Sequence, residues 1–154
     1  MRATRPTTRR SAGAAGGERA ARPDHEDPRR ALGRLGEQLA AAHLHRLGFA
    51  TLARNVRSRH GEIDLIVFDG RTLAFVEVKT RLARSAGQPL GLAEQPLARL
   101  RPRQRARIRR LARAWLSDSS NMRPTAGTIR FDAIGVIVDR RGQLVALEHV
   151  EGAW

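Results

Sequence analysis

A single lysine stands among 28 arginines in this sequence, and its position indicates a chemical role. Lys79 lies in the largely apolar stretch FVEVKTR, residues 75–81, two residues after Glu77. An ammonium group is a compact, strongly hydrated charge whose pKa shifts readily, whereas a guanidinium is planar and always protonated. Lys79 is therefore a candidate for orienting or deprotonating a water molecule.

Two carboxylates are expected to lie beside this lysine. Alternating apolar and polar residues on both sides of Asp69-Gly70 predict a β-hairpin. If Asp69-Gly70 is the whole loop, Asp64 pairs with Phe75. Asp64 and Glu77 are then diagonal neighbours on one face of the sheet, about 7 to 8 Å apart at the backbone. Lys79 shares that face, and a loop of odd length would separate the two acids.

Converging carboxylates are typical of a site for a hard divalent cation. Mg²⁺ binds one or two carboxylates and keeps its other positions for water and phosphate oxygens. A bound ion, Mg²⁺ or Mn²⁺, lowers the pKa of its water and stabilises charge that develops on phosphorus. We therefore expect Asp64 and Glu77 to bind the metal and Lys79 to position the attacking water. The alternative is a solvated Glu–Lys pair on a half-exposed strand.

A third acid, Glu37, lies on the first predicted helix. Asp27-Pro28 is typical of a helix N-cap and first position, and Gly48 of a helix end. Gly33 and Gly36 in the helix interior cost about 1 kcal/mol each relative to alanine, which indicates that another backbone or a ligand approaches closely. Glu37 lies off the leucine stripe of this helix and is a candidate to complete the metal site. The alternative is an ordinary exposed acid.

The net charge of +14 indicates a polyanionic partner. Residues 1–28 carry six arginines and four acids, so +12 belongs to the rest of the chain. Such a field favours nucleic acid, although an arginine-rich composition neutralised by counterions is the alternative. A second helix is predicted over residues 97–117. The residues expected to contact nucleic acid are His60, Arg81, Arg103, Arg105, Arg107, Arg109 and Arg110.

Composition limits the remaining classes of protein. The chain has no cysteine, which excludes disulfides, thiolate zinc sites and cysteine nucleophiles and is compatible with a cytoplasmic location. It lacks an apolar run of about 18 to 20 residues, so we expect no membrane association. Residues 1–26 show no apolar period and predict a disordered basic tail, with a transit peptide as the alternative.

The elements alternate in an order that predicts an α/β fold. Strands are expected at residues 49–55, 72–79, 128–138 and 144–150, and the first strand of the hairpin precedes Asp69. The resulting order αβββαββ favours a mixed sheet flanked by helices over a regular parallel array.

Several motifs carry a resemblance to a known family. They are Gly33-x-x-Gly36-Glu37, Asn55, GEIDLI at residues 61–66, FVEVKTR at residues 75–81, and Arg130-Phe131-Asp132. From about residue 31 onwards they resemble the YraN family, which is similar to the restriction-endonuclease-like superfamily and to archaeal-type Holliday junction resolvases.

The resemblance implies a restriction-endonuclease-like αβββαβ core with one extra C-terminal strand over residues 27–154. It also implies a divalent-metal nuclease site. Glu37 matches the helix acid, Asp64 the first strand acid, and Glu77-Val78-Lys79 the Glu-x-Lys element. Gln104 stands where the family usually has a lysine, and Arg103 or Arg105 is expected to replace that phosphate contact.

The sequence therefore predicts a metal-dependent endonuclease acting on DNA, including branched or damaged DNA. The resemblance implies that it can act as a homodimer. A non-catalytic nucleic-acid-binding module with a nuclease-like fold is the alternative, and an adaptor for an acidic partner is a third reading.

Overall fold

The computed structural model describes residues 27–83, 97, 101–121 and 123–154, which form a five-stranded mixed sheet with a helix packed on each face. The predicted α/β fold, an αβββαβ core with one extra C-terminal strand, is confirmed. The predicted tail, residues 1–26, lies outside the described residues. The elements in chain order are α1 (Pro28–Arg46), β1 (Ala50–Ser58), β2 (Gly61–Phe68), β3 (Thr72–Leu82), α2 (Pro102–Ser117), β4 (Thr128–Val138) and β5 (Leu144–Val150).

The sheet has the strand order β1-β2-β3-β4-β5, so β3 lies at its centre. Strands β3 and β4 are parallel, and the other neighbouring pairs are antiparallel. A parallel pair needs a crossover connection, and α2 lies between β3 and β4 in the chain. Of the helices in the described part of the chain, none has the length and apolar character needed to cross a membrane.

Alternate residues of β3 pack against different helices. Val76 and Val78 belong to the apolar cluster under α1, whereas Phe75 belongs to the cluster under α2. Since a strand projects successive side chains to opposite faces, a residue of even number here faces α1 and one of odd number faces α2. This parity directs Glu77 and Lys79 towards the side of α2.

Helix α1 begins and ends at the predicted residues. The Asp27 side chain accepts a hydrogen bond from the Arg29 backbone N–H at 2.9 Å, and the helix is followed by Gly48 with φ of 91°. At Gly36 an added Cβ would overlap Thr80 Oγ1 and lie 2.8 Å from Thr80 Cβ. The close approach that the helix glycines predict is therefore present at Gly36. A Cβ on Gly33 would meet no atom of the described residues within 4 Å.

The hairpin between β2 and β3 has a different register from the predicted one. Phe68 pairs with Leu73, so the two loop residues are Gly70-Arg71 rather than Asp69-Gly70. The cause is the Asp69 carboxylate, because its Oδ1 accepts the backbone N–H groups of residues 71 and 72 at 2.8 and 2.6 Å. The loop still has two residues, and each residue of β2 pairs with a residue of β3 two positions further along than predicted. Because this shift in pairing is even, it does not exchange the two faces of the sheet.

The second helix begins at Pro102 rather than at residue 97. A proline inside a helix removes a backbone donor and clashes with the preceding turn, so Pro102 takes the first helical position. Strand β1 continues to Ser58, beyond the predicted end at Asn55, and its register against β2 shifts between Thr51 and Ala53.

Candidate functional site

A cavity of about 560 Å³ lies between α1 and α2, beside the end of the β2–β3 pairing. Its charged lining consists of four acids and four basic residues: Arg29, Glu37, Glu62, Asp64, Glu77, Lys79, Arg81 and Arg107. The structure thus brings the four residues predicted to be catalytic to one cavity.

Asp64 lies where the β2–β3 pairing ends. The last pair is Leu65–Val76, so the register places Asp64 directly across from Glu77 rather than diagonal to it. Beyond this pair the Asp64 side chain takes the place of a backbone acceptor on β2, since its Oδ2 accepts the Val78 backbone N–H at 2.7 Å. The two acids are therefore closer in register than the sequence predicts.

Strand β2 rotates at the same residue. Ile63 packs in the cluster under α2, whereas Leu65, two residues later, packs in the cluster under α1. The apolar–polar alternation that predicts this strand would place Ile63 on the same face as Leu65 and Val67, and this expectation is wrong at Ile63. This rotation accompanies the end of the pairing and lets the Asp64 side chain reach the Val78 backbone.

The surroundings of Asp64 raise its pKa from 3.8 to about 7. Burial is the largest cause, and the negative charge of Glu77 is the next. The Val78 N–H and the Lys79 ammonium act in the opposite direction, while Glu37 adds a smaller rise. Asp64 therefore takes up a proton near neutral pH unless a cation compensates its charge.

The two oxygens of the Glu77 carboxylate have different surroundings. Glu77 is 2% exposed. Its Oε1 accepts hydrogen bonds from Lys79 Nζ and Gln104 Nε2, and Arg107 Nη2 lies 3.6 Å away. Its Oε2 is buried and has no hydrogen-bond partner among the described residues. A buried carboxylate oxygen without a partner is costly, so the pair Asp64 and Glu77 has the chemistry of a divalent-cation site.

Glu37 lines the cavity from α1 and is held by Asn55. The Asn55 Nδ2 donates to Glu37 Oε2 at 3.0 Å. Asn55 has φ of 50°, a left-handed conformation that asparagine tolerates better than most residues. Asn55 belongs to one of the motifs shared with the YraN family, but the sequence predicts no role for it. The available signal was an asparagine inside a strand pattern, where asparagine is depleted.

The described residues contain no group of three or more His, Asp or Glu side chains arranged to hold a metal ion. Protein ligands at this cavity would therefore come chiefly from the two converging acids, Asp64 and Glu77, with Glu37 beside them. This number is sufficient for Mg²⁺, which usually keeps several waters.

The arginines predicted to contact nucleic acid fall into two groups. Arg81 and Arg107 line the cavity, and Arg107 packs so closely on Gly61 that a Cβ there would lie 2.7 Å from its Nη1. The others lie outside the cavity lining. Arg103 and Arg110 are exposed, Arg105 is half-buried, and the Arg109 guanidinium lies 6.0 Å from the centre of the Phe131 ring.

His60 lies in the exposed turn between β1 and β2, outside the cavity lining. Its Nε2 accepts a hydrogen bond from Arg59 Nε at 3.0 Å. Among the predicted contacts to nucleic acid, His60 is therefore a surface residue of the hairpin turn.

A second buried carboxylate, Asp132 on β4, was not expected from the sequence. Arg130 donates to both of its oxygens at 2.8 and 2.9 Å, and the Gly152 N–H donates at 3.0 Å. His149 Nε2 lies 3.1 Å away, and His149 Nδ1 is 3.3 Å from His43 Nε2 on α1. Burial alone would raise the pKa of Asp132, but the hydrogen bonds from His149 and Arg130 lower it. This network links α1, β4 and β5.

The matching family model and the similar proteins carry the same family name. The sequence model described as uncharacterised protein family UPF0102 matches residues 36–136. A UPF0102 protein of Acidothermus cellulolyticus is 43% identical over 82% of this chain and 95% of its own length. One from Streptomyces griseus is 47% identical over 80% and 96%, and one from Pelotomaculum thermopropionicum is 41% identical over 83% and 98%.

Proposed function

This chain belongs to the uncharacterised protein family UPF0102, and from the geometry of its own cavity we propose that it is a divalent-metal-dependent endonuclease acting on DNA. One observation carries the proposal. The half-buried Asp64 and the buried Glu77 line one cavity beside the sole lysine, and Glu77 Oε2 has no partner among the described residues. A cation that both carboxylates bind would supply the missing partner.

The residues of the cavity have different roles in the proposed hydrolysis of a phosphodiester. Asp64 and Glu77, with Glu37 beside them, would hold Mg²⁺ or Mn²⁺. When bound, such an ion supplies a water of lowered pKa and stabilises charge on the phosphate. Lys79 orients the attacking water, whose oxygen would form a new bond to phosphorus while its proton passes to solvent. The ester P–O bond breaks, and the leaving oxygen takes up a proton from solvent.

The charge of the chain supports nucleic acid as the substrate. Arg81 and Arg107 border the cavity, and α2 presents further arginines beyond it. We propose that they contact backbone phosphates of DNA, including branched or damaged DNA, in a cytoplasmic protein that can act as a homodimer. Each real phosphate contact would steepen the plot of log affinity against log salt by about one.

The test is a cleavage assay on purified protein with Mg²⁺ or Mn²⁺. The substrates are single-stranded, duplex, flap and four-way DNA, with RNA for comparison. We expect Lys79→Ala to abolish cleavage and largely to preserve DNA binding. Lys79→Arg is the matched variant, because it keeps the positive charge but not an amine whose pKa can shift. Cleavage by Lys79→Ala at the wild-type rate would refute the proposal.

A non-catalytic nucleic-acid-binding module is the second candidate. It is favoured by the lack, among the described residues, of a group of three or more acids or histidines arranged for a metal. It is also favoured by Gln104, because the YraN family that the sequence resembles usually has a lysine at this position. Calorimetric titration with Mn²⁺ separates the two functions. The endonuclease requires a saturable site that Asp64→Ala removes, and the binding module requires none.

A further inference from the structure

Three donors crowd one oxygen of Glu77 and leave the other without a partner among the described residues. Lys79, Gln104 and Arg107 all approach Oε1, from β3 and α2. An ionised carboxylate only accepts hydrogen bonds, so the Gln104 amide must present its nitrogen to Oε1. The orientation of this amide therefore follows from its partner.

Gln104 differs from the other two donors. Lys79 extends from the same strand as Glu77, and its side chain is 37% exposed, so it can move with the carboxylate or away from it. Arg107 Nη2 stands at 3.6 Å, beyond ordinary hydrogen-bond length. Gln104 is uncharged and projects from the first turn of α2, so it fixes the Glu77 carboxylate relative to that helix.

We propose that Gln104 is a positioning residue that occupies Glu77 Oε1 and so makes Glu77 a one-oxygen ligand through Oε2. The inference rests on the divalent ion of the proposed function and goes beyond it, because a glutamate that offers one oxygen favours Mg²⁺ or Mn²⁺ over Ca²⁺, which often takes both oxygens of a glutamate.

Gln104 would act through Glu77, as residues behind a metal ligand do. Loss of such a partner typically costs about 10-fold to 100-fold in metal affinity. Without the amide, the contacts to Oε1 that remain among the described residues are those of Lys79 and, at 3.6 Å, Arg107, and the carboxylate is free to turn. A general loss of packing would instead lower the free energy of unfolding, which urea unfolding measures.

The experiment is calorimetric titration of the full chain with Mn²⁺, repeated with Ca²⁺. Gln104→Met removes the donor and keeps the length of the side chain and a good helix former. Gln104→Lys restores a donor of similar reach. Gln38→Met is the matched control, because Gln38 is exposed on α1. Urea unfolding of each variant measures whether the fold is retained.

We expect wild-type protein to bind Mn²⁺ at a saturable site and to bind Ca²⁺ more weakly. Gln104→Met should bind Mn²⁺ about 10-fold or more weakly, while Gln104→Lys should recover most of this loss and Gln38→Met should match wild type. Ca²⁺ binding as tight as Mn²⁺ binding, or unchanged Mn²⁺ affinity in a folded Gln104→Met variant, would overturn the inference but not the proposed function. If Gln104→Met unfolds, Gln104→Ala takes its place under the same criterion. No saturable Mn²⁺ binding by wild-type protein would overturn both.

Discussion

Asp64→Asn should stabilise the metal-free protein at alkaline pH. Burial and the charge of Glu77 raise the pKa of Asp64 from 3.8 to about 7. The folded state therefore keeps a proton that the unfolded state has released, and wild-type stability falls as pH rises through this interval. Above about pH 7 the full cost is present. Asparagine carries no charge and can still accept the Val78 N–H through its Oδ1.

The rise in the pKa of Asp64 from 3.8 to about 7 sets the size of the effect. At about 1.4 kcal/mol per pKa unit, the ionised Asp64 destabilises the folded state by about 4 kcal/mol. Water entering the cavity relaxes part of this cost, so we expect Asp64→Asn to gain about 2 to 4 kcal/mol at about pH 8. At about pH 5 wild-type Asp64 is mostly protonated, and most of the gain should disappear.

Urea unfolding at the two pH values, in buffer with a chelator, measures the difference. Glu62→Gln is the control, since Glu62 lines the same cavity but is 45% exposed and paired with Arg57. An exposed pair of this kind contributes about 0 to 1 kcal/mol, so that variant should change little. A loss of stability in Asp64→Asn at about pH 8, or an equal gain at both pH values, would contradict the account of Asp64.

Further predictions concern metal binding and packing. Wild-type Mn²⁺ affinity should fall about 10-fold per pH unit below about pH 7, because the ion displaces the Asp64 proton, and pH-independent calorimetric titrations would contradict this. Gly36→Ala should lose about 2 kcal/mol in urea unfolding through its clash with Thr80, while Gly33→Ala should gain about 0.5 to 1 kcal/mol. Asp132→Asn should cost about 3 kcal/mol at neutral pH, and less under acid conditions, since the lowered pKa of Asp132 stabilises the fold until pH falls through it.

The sequence predicts the site well where its geometry is local. Parity along β3 separates Val76 and Val78 from Glu77, and the even-length hairpin brings Asp64 to the same cavity. The register depends on the Asp69 carboxylate, which caps the turn: the loop moves by one residue along the chain, and the strand pairing therefore shifts by two. Such side-chain capping competes with the turn that the Asp-Gly pair favours, and residue types alone do not decide between them.

The contacts that the sequence does not predict are those between distant elements. The tie from Asn55 to Glu37 joins β1 to α1, and Gln104 reaches Glu77 across 27 positions of the chain. Periodicity places each residue on a face of its own element but does not fix how two elements are rotated against each other. The Asp132 network joins β4, β5 and α1, and for the same reason only its residue types were visible in the sequence.

The neighbouring strands β3 and β4 each carry a buried acid, Glu77 and Asp132, and the surroundings of the two carboxylates differ. Asp132 pairs with Val76, one residue from Glu77, yet four hydrogen bonds reach its oxygens and its pKa is lowered. At Asp64 the pKa is raised, and Glu77 Oε2 has no partner among the described residues. The sheet can therefore satisfy a buried carboxylate with its own donors. Beside Lys79 the described donors satisfy one oxygen of Glu77 and leave the other, and the divalent cation that we propose would supply the missing positive partner.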